Sequence, residues 1–203
     1  MRSPLSMRNA SIESMSSDIR WVDSSHNISR CRSVSVKSLA LLCTFADGGQ
    51  ATRLSGCMLI LALRSRIGTR AMRRAGMVQM IMPRAYVRAH DCAALARDLG
   101  NLFGRDLVDH PPIISEQLRA MSGYTALSRV NELSGIPTLV VSAHHDPIAP
   151  PVLGKDIASR IRGARYVEFA DASHALPIQL AAEVNALLSD HVWAAERSTV
   201  ALS

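Results

Sequence analysis

Two side chains late in the sequence could move a proton together. Asp146 stands in His144-His145-Asp146-Pro147-Ile148-Ala149-Pro150, and His174 stands in Ala172-Ser173-His174-Ala175-Leu176-Pro177, 28 residues further on. A carboxylate that accepts a hydrogen bond from one imidazole nitrogen fixes the tautomer. It leaves the other nitrogen as a base and stabilises the imidazolium once it forms. Such a pair serves general-base chemistry. Taken singly, each residue has an ordinary reading: an Asp before Pro is a turn residue, and a lone His is structural. The adjacent His144 and His145 also raise the question of a metal. Neighbouring residues on an extended segment point to opposite sides and no further ligand cluster follows, so no metal is expected.

The elements around the pair are what would bring it together. Residues 137–142 are a short apolar run, rich in Val and Leu, after a Gly-Ile-Pro breaker. That pattern predicts a buried parallel strand rather than a helix. Residues 155–162 can form a short helix, and residues 166–169 read as the next strand. The spacing between Asp146 and His174 is enough to cross by a helix to a neighbouring strand. Both side chains would then emerge at the carboxyl edge of parallel strands, where open α/β sheets place their ligands. Further upstream, residues 54–67 and 69–82 carry apolar residues at helical spacing with arginines between them. Pro83 ends the second of these. Residues 86–99 and 112–124 read as two more helices, the latter begun by Pro111-Pro112.

Three segments, Ile136-Pro137-Thr138-Leu139-Val140-Val141, His145-Asp146-Pro147-Ile148-Ala149-Pro150 and Ala172-Ser173-His174-Ala175-Leu176-Pro177, resemble the α/β-hydrolase family, most closely its lactonase- and esterase-like members. In that family the order along the chain is Ser, then acid, then His. The resemblance implies that Asp146 orients the imidazole and that His174 is the general base. It also implies a small-molecule ester or lactone as substrate, a serine as nucleophile and backbone amides around the oxyanion. No cofactor and no metal are implied. The resemblance extends upstream to about Val36, where Lys37-Ser38-Leu39-Ala40-Leu41-Leu42-Cys43-Thr44-Phe45-Ala46 looks like the strand after the nucleophile helix. In such hydrolases an insertion like residues 48–133 forms a helical cap over the active site. Met58, Met72, Met77, Met80 and Met82 could line an adaptable acyl pocket there, though ordinary packing between cap helices is the preferred reading for most of them. The expected fold class is α/β: a partial α/β-hydrolase fold, a short parallel sheet with a helical cap insertion. It would occupy residues 37–195, after an irregular segment 1–36 and before a tail 196–203.

What the family places before the first of these strands has no clear counterpart. The sequence contains no G-x-S-x-G and no His-Gly pair to open an oxyanion loop. Ser14-Met15-Ser16-Ser17 has the outline of the family's S-M-G-G with both glycines replaced, and Ile12 stands where a Gly is expected. A nucleophile elbow needs small residues because its turn is strained. Ser14 therefore reads as a solvated loop serine. With only 36 residues ahead of the strand, the resemblance covers the cap and the C-terminal half only, and the expectation is a truncated hydrolase without its nucleophile. A non-catalytic basic binding protein that reuses the fold is the alternative.

Composition bounds the rest. The 203 residues are 48% hydrophobic, enough for one domain with a sizeable core. Residues 1–36 are crowded with Ser and Arg and read as disordered or only locally ordered. They do not form a signal peptide, and the apolar run 57–63 is too short to span a bilayer. Cys31, Cys43, Cys57 and Cys92 show no paired metal or redox spacing, which points to a reduced cytosol. The net charge is +6, yet aromatics are only 4% and no nucleic-acid fold is recognised, so no nucleic-acid partner is expected. Much of the basic excess, Arg53, Arg64, Arg66, Arg70, Arg73, Arg74, Arg84 and Arg88, lies between Gly48 and His90, a stretch without Asp or Glu. A solvated helical face is the preferred reading, ahead of a membrane-surface or partner contact. A half-sheet should also expose an edge, which a partner chain could cover.

Overall fold

Leu39, Leu41 and Val140 pack into one buried cluster, while Leu139, Val141 and Ala143 pack into another. This alternation is the period of a β-strand and makes each sheet face half of a core. The computed structural model describes residues 36–51, 59–60, 63–109 and 113–200. Its three strands are β1 (Leu39–Leu42), β2 (Thr138–Ala143) and β3 (Arg165–Phe169), in the order β1-β2-β3. Both pairings are parallel, with Leu39 opposite Thr138 and Leu139 opposite Arg165. β2 is central and buried at every position, as its apolar run predicted. The expected strand at 37–46 is shorter than its apolar run: it ends at Leu42, because Cys43 turns the chain at a φ of 45°.

Two helices complete the layers. The first, following β2, lies against one face and supplies Ile157 and Ile161. The second, at the C-terminus, lies against the other and supplies Val184, with Leu187 and Leu188 beside it. The region between β1 and β2 is helical: α1 (Gly48–Ala51), α2 (Arg70–Ile81), α3 (Arg84–Ala89), α4 (Cys92–Phe103), α5 (Ile113–Ser122) and a 3₁₀ turn at Val130–Leu133. The two layer helices are α6 (Pro151–Arg160) and α8 (Ala181–Val200), with the short α7 (Leu176–Gln179) before α8. α8 continues past residue 196, where the sequence reading places a tail.

The helices follow local signals. Thr69 caps α2 by accepting from the Met72 amide at 3.3 Å. The single helix expected at 86–99 is two helices. The chain leaves helical geometry at His90, and Asp91 starts α4 by accepting from the Ala93 amide at 2.9 Å. Gly104, at a φ of 65°, closes α4. Of the helix expected at 54–67, residues 59–60 and 63–64 are helical, and the rest of it before Leu63 lies outside the described residues. Met58, Ser14, Cys31, Cys57 and the segment 1–35 lie outside them too. α2 and α4 pack through Val78, Met82, Leu95 and Leu99, all at most 2% exposed. Met82 and the half-buried Met77 thus belong to this helical core, whereas Met72 is exposed. Arg70 and Arg74 both reach Asp106 beyond α4, and the two guanidinium groups hold its carboxyl well below the usual range.

Candidate active site

Asp146 follows β2 and His174 follows β3, each within a few residues of its strand end. Parallel pairing puts both ends on the same edge, and backbone bonds stitch the two loops. The His144 amide donates to the Phe169 carbonyl at 2.9 Å, and the His145 amide donates to Ala172 at 2.9 Å. The Ser173 hydroxyl donates to the His145 carbonyl at 3.0 Å. Ala172 and Leu176 are fully buried beneath the base loop. From above, the Ala175 amide donates to the Ile81 carbonyl at the end of α2, at 2.9 Å, and Ala175 packs into the α2–α4 core. His174 therefore sits on a loop clamped by the sheet core on one side and by the helical insertion on the other.

The structure brings the two sequence-predicted residues together. His174 Nδ1 lies 2.9 Å from Asp146 Oδ2. An ionised carboxylate only accepts, so Nδ1–H is the donor. The other carboxylate oxygen accepts from the amides of Ile148 and Ala149 at 2.8 and 2.9 Å. The Asp146 side chain is fully buried and the His174 side chain is 34% exposed. The anion is thus held rigidly inside, while the ring reaches the surface. Among the described residues no hydrogen bond engages His174 Nε2. A neutral imidazole in this tautomer carries its basic lone pair there.

A third residue meets the acid, and sequence reasoning missed it. The Cys43 thiol lies close enough to Asp146 to feel the charge of its carboxylate. Burial, with the neighbouring carboxylate adding to it, pushes the thiol up to about 12, against a minor opposing influence of the Ala143 backbone. Cys43 is therefore a neutral thiol near pH 7, not a thiolate nucleophile. Its left-handed backbone is what turns it here: Leu41 faces the α6 side, but Leu42 and Cys43 both pack on the α8 side. The one signal in the sequence is its place at the end of a strand.

His144 is engaged elsewhere. It occupies a turn rather than an extended segment, with its ring edge-on to His145 and its Nδ1 2.8 Å from Glu168. Lys155 and the Tyr166 hydroxyl also reach Glu168, at 2.9 and 3.0 Å. Led by the bond to His144, these contacts lower the Glu168 carboxyl to about 2. Among the described residues no group of three His, Cys, Asp or Glu could hold a metal ion. An open cleft of about 980 Å³ lies between α2 and α4, lined by Arg74, Arg97 and Asp106 among others. It shares no residue with the Asp146–His174 pair and is not its substrate pocket. No described helix is long and apolar enough to cross a membrane.

No protein-family model matches the sequence. Over 71 residues it is 41% identical to rhodomycin D methylesterase DnrP of Streptomyces peucetius, a stretch covering 34% of this chain and 24% of that enzyme. The match thus spans about a quarter of that relative's length. The structure is similar to an esterase from Thermogutta terrifontis, with a TM-score of 0.58 and 19% identity, covering 82% of this chain and 59% of that one. It is also similar to the enol-lactonase of Burkholderia xenovorans LB400, with a TM-score of 0.56 and 22% identity, covering 76% and 56%. The chain thus has a partial α/β-hydrolase fold, and it spans little more than half the length of these solved structures.

Proposed function

We propose that Asp146 and His174 are the acid and base of an ester- or lactone-hydrolysing α/β-hydrolase. The observation that carries this is the 2.9 Å bond between a buried carboxylate and a partly exposed imidazole at the ends of neighbouring parallel strands. In the assigned step, Nε2 takes the proton of a hydroxyl as its oxygen attacks the carbonyl carbon. The same proton then passes to the leaving oxygen as the C–O bond breaks. Asp146 stabilises the imidazolium between these events. The similarity to a methylesterase, an esterase and an enol-lactonase supports carboxylic esters or lactones as the substrate class. We read α2–α5 as a cap, because the end of α2 bonds directly to the base loop. Free Cys43 and Cys92 fit a reducing cytosol.

The hydroxyl is the part we assign elsewhere. The sequence offers no G-x-S-x-G, and the Cys43 thiol remains protonated. These 203 residues then do not form an acyl-enzyme alone, and a partner chain along the side of β1 that no described strand pairs would supply the nucleophile. The test has two arms. Purified chain should give no burst with p-nitrophenyl acetate, and a fluorophosphonate probe should label no serine. A chimera carrying, ahead of residue 36, the part of the Thermogutta terrifontis esterase that this chain does not match should turn the ester over. That activity should vanish in His174→Ala and fall by about 10⁴ in Asp146→Asn, the loss typical of a misoriented imidazole. A folded chimera whose activity survives His174→Ala would sink the assignment.

A further inference from the structure

Leu59, Ile60, Leu63 and Ile67 are 56%, 59%, 55% and 61% exposed. Residues 59–60 and 63–64 are helical, and the amides of Arg66 and Ile67 both bond to the Leu63 carbonyl at 3.0 Å. Four residues apart and joined by that backbone bond, Leu63 and Ile67 present their side chains on one side of the chain. Met72, also 61% exposed, extends the patch, since its sulfur lies 3.0 Å from where a Cβ on Gly68 would stand. Scattered apolar residues on a surface are ordinary. A contiguous group of this kind marks a surface that meets something apolar.

The surrounding charge says what. Arg64 and Arg66 stand within the patch, both exposed, in the Gly48-to-His90 stretch that has no acid. Aliphatic chains among arginines suit the boundary between acyl chains and phosphate head groups. Nucleic acid would engage the arginines but leave the aliphatic side chains without a partner. Single strands also call for aromatic stacking, and the only aromatic between Gly48 and His90 is Tyr86, already stacked on His90. We propose that the surface carried by Leu59, Ile60, Leu63, Ile67 and Met72 docks peripherally on anionic phospholipid membranes. Its aliphatic side chains enter the head-group boundary while Arg64 and Arg66 meet lipid phosphates. This does not depend on the chemistry of Asp146 and His174.

The test is co-sedimentation of the full chain with vesicles of phosphatidylcholine alone, and of equal parts phosphatidylcholine and phosphatidylglycerol. Each arginine near an anionic surface contributes about fivefold in affinity, so the anionic vesicles should bind at least about tenfold tighter. Added salt should erase most of the difference. The double variants Leu59→Ser with Leu63→Ser, and Arg64→Gln with Arg66→Gln, should each lower binding by about tenfold with unchanged circular dichroism. If the leucine variant loses its fold, the arginine variant and the salt series decide. Equal binding to both vesicle types, or an arginine variant that binds as well as the parent, overturns the proposal. So does a dimer abolished by the leucine variant without vesicle binding, which would make the occupant a second copy. A salt-sensitive RNA shift lost in the arginine variant, again without vesicle binding, would assign the surface to nucleic acid.

Discussion

The Asp146 carboxylate is held from several sides at once. Two backbone amides fix one oxygen, His174 takes the other, and the Cys43 thiol is buried beside them. Removing the carboxylate strands buried donors, and each costs about 1–3 kcal/mol. Asp146→Ala should therefore destabilise the chain by about 3 kcal/mol in urea unfolding. Asp146→Asn, which can still accept from the amides, should cost about 1 kcal/mol. Equal losses would mean that the amide bonds contribute nothing. Cys43 gives a separate check. A thiol moved from 9.0 to about 12 holds about a thousandth of the ordinary thiolate at neutral pH. Iodoacetamide should modify Cys43 about a thousandfold more slowly than a free thiol, and Asp146→Asn should quicken it, as read by peptide mass spectrometry. Labelling at the free-thiol rate would contradict the contact. Asp146 and His174 were legible in the sequence because each follows a strand-like run closely, which fixes where it emerges. Cys43 was not, because its position depends on a left-handed turn that interrupts an unbroken apolar run.

Among the elements, α6 matters most to the acid, since it packs on β2 immediately before the turn to Asp146. Gly154 makes that approach close: a Cβ there would collide with the Ser142 hydroxyl, itself 2% exposed. Alanine would add up to about 1 kcal/mol of helix propensity, but overpacking costs about 1–3 kcal/mol. Gly154→Ala should lower stability by about 1–2 kcal/mol. Ser142→Ala in the same chain should recover part of it. Additive losses in the double variant would show that the collision is relieved in another way. The strands were legible at this scale because apolar runs between breakers need little tertiary information. The division between α3 and α4 was not, since apolar spacing continues across His90 and Asp91. There a local side-chain bond from Asp91 outweighs the periodicity. The end of β1 escaped prediction for the related reason that Cys43, Thr44 and Phe45 prolong its apolar pattern after the backbone has turned.

At the scale of the whole molecule, β2 is the axis, α6 and α8 cover the sheet faces, and the helical insertion grips the base loop. α8 reaches back over the full chain to β1: His191 Nε2–H donates to the Leu39 carbonyl at 3.1 Å. His191 is 8% exposed. Burial lowers its pKa from the usual 6.5, and the charge of Arg165 adds to this. The bond to the Leu39 carbonyl opposes it. The direction sets the sign of the pH dependence. Below 6.5 the unfolded chain takes up a proton at this residue that the folded chain resists, so protonation favours unfolding. The contribution of neutral His191 is complete above that value and declines as pH falls through the window beneath it. Glutamine at this position can still donate to Leu39 but does not titrate. Thermal unfolding from pH 7.5 down to about 5 should show the parent losing stability faster than His191→Gln, with the curves converging or crossing in acid. Parallel curves across that range would mean that His191 charges as readily in the folded chain as in the unfolded one. The link from α8 to β1 would then contribute nothing to the pH response.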